Sequence, residues 1–103
     1  MSEASIAKKI GAILVKNSGR GLRKGDMTWE DFVIDAKEGK SFAFNERAWA
    51  KICDDALSHG VDREPMILRV FPSGGMVACI PWNYFEYLFL EVQSLREELG
   101  ELH

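Results

Sequence analysis

Asp26, Asp35 and Lys37 are the residues of this 103-residue chain whose types and spacing most directly suggest chemistry. Asp26 closes a loop rich in glycine, arginine and lysine, while Asp35 and Lys37 end the apolar run Phe32-Val33-Ile34. Side chains alternate faces along a strand, so Asp35 and Lys37 project from one face, roughly 7 Å apart. A tight hairpin through Trp29-Glu30-Asp31 brings Asp26 beside them. Two carboxylates and an ammonium converging on one point suit a hard divalent cation, Mg2+ or Mn2+, and an activated water. That is the chemistry of metal-assisted phosphodiester hydrolysis. The plainest alternative is a surface ion-pair group of Asp35, Lys37 and Lys40, worth under about 1 kcal/mol.

The elements that must position these residues are readable from periodicity and turn chemistry. Ile6, Ile10, Ile13 and Leu14 recur at helical spacing, which predicts a helix from about Glu3 to Val15, stopped by Asn17-Ser18-Gly19-Arg20-Gly21. The loop to Gly25 combines three glycines with Arg20, Arg23 and Lys24. Its backbone can approach a phosphate closely, with guanidinium groups to either side. Residues 26–28 and 32–37 read as a hairpin. Asn45 is a good N-cap for a helix to about Ser58, with Ala48, Trp49, Ile52, Cys53, Ala56 and Leu57 as its buried stripe. His59-Gly60 stops it, with His59 read as a cap group rather than a catalytic base. Pro65 opens an apolar strand, Met66 to Phe71, expected to be central and buried on both faces. A turn at Pro72-Ser73-Gly74-Gly75, a strand over Met76 to Ile80 and a last helix from about Asn83 to Leu102 complete the chain.

In that last helix Phe85, Leu88, Val92, Leu95, Leu99 and Leu102 fall at alternating spacings of three and four, a heptad seam. Its first half is expected to pack on the domain. Val92, Leu95, Leu99 and Leu102 are expected to pair with another subunit as a homodimer interface. No repeat or linker interrupts the chain, so residues 1–103 read as one domain. Its 47% hydrophobic and 28% charged content are ordinary for a globular protein. No apolar run approaches the roughly 20 residues of a membrane span, and the N-terminus lacks a basic-then-apolar signal pattern. A cytoplasmic protein with no membrane partner is the expectation. Cys53 and Cys79 sit in apolar stretches without metal-ligand spacing and read as buried small hydrophobes. The net charge of −3 weighs against nucleic acid, but its distribution does not. Six basic residues precede Gly25 against Glu3 alone, and five acids follow Phe85 against Arg96. One end can meet phosphates while the other stays away.

The ordered set Ser18-Gly19-Arg20-Gly21, Lys24-Gly25-Asp26, Asp35-Ala36-Lys37 and Lys40-Ser41-Phe42, followed by the run from Pro65 through Arg69 to Phe71, resembles the PD-(D/E)xK nuclease superfamily. Within it the chain is most similar to small Holliday-junction-resolvase-like and phage-encoded nucleases, over about residues 3 to 80. The resemblance implies a restriction-endonuclease-like α/β core, with a central mixed sheet of about four strands flanked by helices. It implies Asp26 and Asp35 as metal-binding acids, with the Ala36 carbonyl completing the coordination. Lys37 would position or help deprotonate the attacking water, or stabilise the phosphorane charge. Glu3 falls where the family often has a helix-borne acid. Ser18, Arg20, Arg23, Lys24, Lys40 and Ser41 fall where DNA is touched. Gly25 stands where the family name has proline.

The lead reading is therefore a Mg2+- or Mn2+-dependent DNA endonuclease acting as a homodimer on branched DNA, without a small-molecule cofactor. The competing readings are a nucleic-acid- or protein-binding module whose acids no longer catalyse, and an assembly protein that uses the C-terminal heptads as an oligomer handle.

Overall fold

The computed structural model describes residues 3–15 and 25–100. The elements are α1 (Glu3–Ile10), β1 (Ile13–Leu14), β2 (Met27–Trp29), β3 (Phe32–Glu38), α2 (Glu46–Leu57), β4 (Glu64–Val70), β5 (Met76–Cys79) and α3 (Trp82–Glu98). The strands form one five-stranded mixed sheet in sequence order. All neighbours are antiparallel except β3 and β4, which run parallel because α2 crosses over between them. The fold class is α/β, with one strand more than expected.

Alternation along β3 and β4 divides the core between the two sheet faces. Phe32, Ile34 and Ala36 join Met66, Leu68 and Val70 beneath Ile6 and Ala7 of α1. Val33 and Ile67 meet Ile52 and Ala56 of α2 on the opposite face. Asp35, Lys37 and Arg69 belong by the same period to the α2 face, at the C-terminal ends of the parallel strands. The β2–β3 hairpin turns through Glu30, which takes the left-handed conformation at φ 52°. Arg63 Nη1 donates to Glu30 O at 3.0 Å, and Glu64 N donates to Asp31 O at 2.9 Å, tying this turn to the start of β4.

The first helix is shorter than its apolar spacing predicts. Gly11 adopts φ 79°, and Ala12 N donates to Ala7 O at 2.8 Å, the six-to-one bond of a Schellman stop. Ile13 and Leu14 then leave the helix and pair with Thr28 and Met27 as the exposed edge strand β1. In α2, Asn45 Oδ1 accepts from Ala48 N at 2.9 Å, as its type predicts. Leu57, expected in the buried stripe, is 60% exposed, and Asp55 is buried at 6%. Ile52, Asp55 and Ala56 share the face turned to the sheet, whereas Leu57 lies a further 100° round the helix. Burial of Asp55 is compensated by Lys51 Nζ at 3.2 Å.

β4 is central, and residues 65–70 are all buried, as its composition predicts. Cys53 and Cys79 are free but only half-buried, because one lies on the flank of α2 and the other on the edge strand. No described residue of α3 is buried. The packing expected of its first half reduces chiefly to Tyr84, whose ring meets Phe32 edge-on at 5.1 Å and whose hydroxyl reaches Asp31 Oδ2 at 3.3 Å. Leu102 lies outside the described residues. No helix among the described residues is long and apolar enough to cross a membrane.

The redrawn stripe of α2 is directly checkable. Ile52→Ala is expected to cost about 2–4 kcal/mol in urea unfolding. Leu57→Ser should stay within about 0.5 kcal/mol of the parent.

Candidate active site

Gly25 sets the position of Asp26. Its φ of 101° disfavours any side chain, and a Cβ there would stand 2.6 Å from Val33 Cγ1. Asp26 N donates to Ile34 O at 3.0 Å, yet Ile34 already faces Met27 across the ladder. Asp26 is thus an added residue at the start of β2, a local bulge of the kind that re-aims a side chain. Its Oδ2 accepts from Ala36 N at 2.9 Å, so a carboxylate completes the strand where a backbone carbonyl would otherwise stand. The resemblance implied a role for the Ala36 carbonyl; the contact the structure shows is that of its N–H.

Asp35, on the adjacent strand, is held by Arg69 of β4. Arg69 Nη2 lies 3.2 Å from Asp35 Oδ2, and Nη1 donates to Asp35 O at 3.0 Å and Leu68 O at 2.9 Å. The guanidinium also sits 5.3 Å above the Phe42 ring, and Arg69 as a residue is 9% exposed. The ion pair that the alternative reading gave Asp35 with Lys37 and Lys40 is made with Arg69 instead. Parallel register places Arg69 beside Lys37, within reach of Asp35 two residues earlier on β3.

The two acids have opposite proton affinities. Burial raises the Asp26 pKa from 3.8 to about 6; the Ala36 N–H opposes this, and the hydrogen bond to Asp35 and the charges of Glu3 and Asp35 add to it. Burial would also raise Asp35, but hydrogen bonds from Asp26 and Arg69 and the charges of Arg69 and Lys37 hold it below the usual carboxylate value. Of the two, Asp26 is the acid shifted toward its protonated form and Asp35 the one shifted toward its charged form.

Glu3, Asp26, Asp35 and Lys37 line one cleft of about 640 Å³. The structure therefore brings all four sequence-derived candidate catalytic residues together. It adds Arg69, Arg47 and Lys51 as further cations in the lining. The Lys51 pKa is raised, first by its bond to Asp55, with the charges of Asp35 and Asp26 contributing. Two signals in the sequence could have found them: a lone arginine in an apolar strand, and Arg47-Lys51-Asp55 at helical i, i+4 spacing. Lys40 and Ser41 are exposed and stand outside this lining. Ser18, Arg20, Arg23 and Lys24 lie outside the described residues.

A second cleft, of about 460 Å³, adjoins the first. The segment 43–49 serves both. Asn45 and Arg47 line the acidic cleft, whereas Phe44, Glu46 and Trp49 line the second together with Pro81 and Trp82.

Among the described residues no three His, Cys, Asp or Glu side chains converge at metal-ligand spacing. The donor chemistry nonetheless fits a hard divalent ion, for two adjacent carboxylates and a third acid in one cleft offer only oxygen. Binding would displace the proton from Asp26 and compete with Arg69 for Asp35. Compared with known proteins, the chain matches no family model, no curated protein and no solved structure. The functional reading therefore rests on the residues and their geometry.

Two outcomes are expected for stability. Gly25→Ala should lose at least about 2 kcal/mol in urea unfolding, since it combines left-handed strain with the Val33 clash. Because the Asp26 pKa is raised on folding, its favourable contribution is present below about pH 4 and is lost as pH rises through about 6. Asp26→Asn keeps the Ala36 bond and removes that loss. It should be more stable than the parent by about 1–2 kcal/mol near pH 7.5, a figure discounted for partial solvent screening. Most of the gain should vanish below about pH 4. A structural acid would show the reverse, with Asp26→Asn destabilised at pH 7.5.

Proposed function

We propose that the chain is a divalent-metal-dependent endonuclease of restriction-endonuclease-like fold, hydrolysing DNA phosphodiester bonds. The observation that carries this reading is the half-buried Asp26–Asp35 pair in a cleft whose remaining charges are chiefly cationic. An acid pair maintained at a stability cost, with Lys37 on the same strand face, is better explained by chemistry than by packing.

Asp26 and Asp35, with Glu3 and the Ala36 carbonyl, would hold Mg2+ or Mn2+. When bound, the ion neutralises phosphate charge and lowers the pKa of a coordinated water. Lys37 places its ammonium beside the scissile phosphate and stabilises negative charge as the attacking oxygen adds. Arg47 and Lys51 offer cations to flanking phosphates. Arg20, Arg23, Lys24, Ser18, Lys40 and Ser41 extend this contact along the DNA backbone.

Branched DNA is the preferred substrate, because the aromatic cleft beside the acids suits a base that has left its stack. Phe44, Trp49 and Trp82 supply π-faces, and Glu46 supplies an acceptor for an exocyclic amine. The Arg69–Asp35 ion pair favours a second reading, a DNA-binding module with a silent acid pair.

The test is cleavage of labelled four-way-junction, linear duplex and single-stranded DNA with Mg2+ or Mn2+. Asp35→Ala, Lys37→Ala and Asp26→Asn should each lose about 100-fold or more in rate. Asp26→Asn should do so while gaining stability. Wild-type cutting should rise with pH through about 6, since ion binding requires the ionised pair. Absence of cutting with either metal, alongside salt-dependent DNA binding, would establish the silent module instead.

A further inference from the structure

Over its 17 residues α3 has no buried residue, an arrangement that a lone helix in water does not sustain well. Trp82, Phe85, Tyr87, Phe89, Leu90, Val92, Leu95 and Leu99 are all exposed. Beyond Leu90 every described residue is exposed, so the distal half stands clear of the sheet. Such a surface needs an occupant.

The charges on α3 decide between candidates. Glu86, Glu91, Glu97 and Glu98 accompany Arg96 as its only base. A helix of that sign is repelled by nucleic acid and by anionic lipid. A protein partner remains, and the heptad identifies it. With Phe85, Val92 and Leu99 at a and Leu88 and Leu95 at d, Glu91 falls at g and Arg96 at the following e. Two parallel, in-register copies place Glu91 of each beside Arg96 of the other, twice by symmetry. Antiparallel copies bring g against g and e against e, so that Glu91 meets a glutamate and Arg96, set against Phe89, loses its acidic partner. Tyr87 Oη donates to Glu91 Oε1 at 2.9 Å, which orients this carboxylate on the helix flank.

We infer that α3 pairs with α3 of a second copy as a parallel, in-register two-stranded coiled coil, fixed in direction by the Glu91–Arg96 cross-pair. This follows from α3 alone and does not depend on the nuclease reading. The two domains then emerge from the same end of the coil, at the Trp82 side.

The experiment uses the full chain, with mass in solution and disulfide trapping as readouts. The wild type should be a dimer at micromolar concentration. Arg96→Glu should raise the dimer dissociation constant about tenfold, and adding Glu91→Arg to it should restore the parent value. Val92→Asp should give a monomer whose circular dichroism still shows the folded sheet. With Cys53 and Cys79 replaced by alanine, Leu99→Cys should cross-link to itself on mild oxidation. Cross-linking of Leu99→Cys only to Leu88→Cys would mean antiparallel pairing and overturn the inference. So would a monomeric wild type, a Val92→Asp dimer, or a double charge swap that fails to restore association. DNA cleavage can be present or absent in any of these outcomes, so this inference and the nuclease reading stand or fall separately.

Discussion

The bond from Ala36 N to Asp26 Oδ2 is the contact on which the site depends. β3 carries the parallel pairing to β4, the antiparallel pairing to β2 and the apolar contacts of both sheet faces. β2 begins only at Met27, and the next amide of β3 directed toward its side belongs to Ala36. A carboxylate completes that amide in place of a carbonyl, and this holds Asp26 against Asp35. Gly25 makes the arrangement possible, since the chain takes a left-handed φ there and any Cβ would stand 2.6 Å from Val33 Cγ1. A packing constraint in the core and the placement of this candidate acid are therefore the same constraint.

The electrostatics follow from where the apolar cover stops. On the α2 face, Val33 and Ile67 are sealed by Ile52 and Ala56, and the next residues outward along the strands are Asp35, Lys37 and Arg69. Asp35 is half-buried, yet the hydrogen bonds from Asp26 and Arg69 and the nearby cationic charge favour its ionised form. Asp26, with the Ala36 N–H as its stabilising donor, shifts toward the protonated form. The same half-burial that costs stability at neutral pH leaves two oxygen donors pointing into a cleft lined by Arg47 and Lys51. The cation of the proposed function would favour the ionised Asp26 and compete with Arg69 for Asp35. Fold stability and the proposed ion binding would thus draw on the same carboxylates.

The molecule is also divided by how well its elements are covered. β3 and β4 are enclosed by two helices, whereas α3 leaves its apolar side chains in water. Its anchorage is at its N-terminal end, through Tyr84 on Phe32 and Asp31. The aromatic cleft and the exposed helix begin at the same residue, Trp82, so assembly and substrate contact would meet at one edge of the domain.

By itself the sequence determined what depends on local chemistry. The hairpin between Asp26 and Lys37, the Asn45 cap, the buried strand from Pro65 to Val70 and the heptad on α3 are set by period, turn residues and capping atoms. The face shared by Asp35 and Lys37 followed from the pleat alone. Tertiary structure decided what depends on register and on competition between partners. Ile13 and Leu14 continue the helical spacing of α1, but Gly11 releases them to pair with β2. Leu57 fits an apolar stripe, but the helix turns Asp55 to the sheet instead. Lys37 is the cation nearest Asp35 in sequence, yet Arg69 takes that carboxylate. The reason is geometric: parallel pairing brings a residue 34 positions away alongside Lys37, within reach of Asp35. A linear chain records which charges exist, and only the folded sheet decides which of them meet.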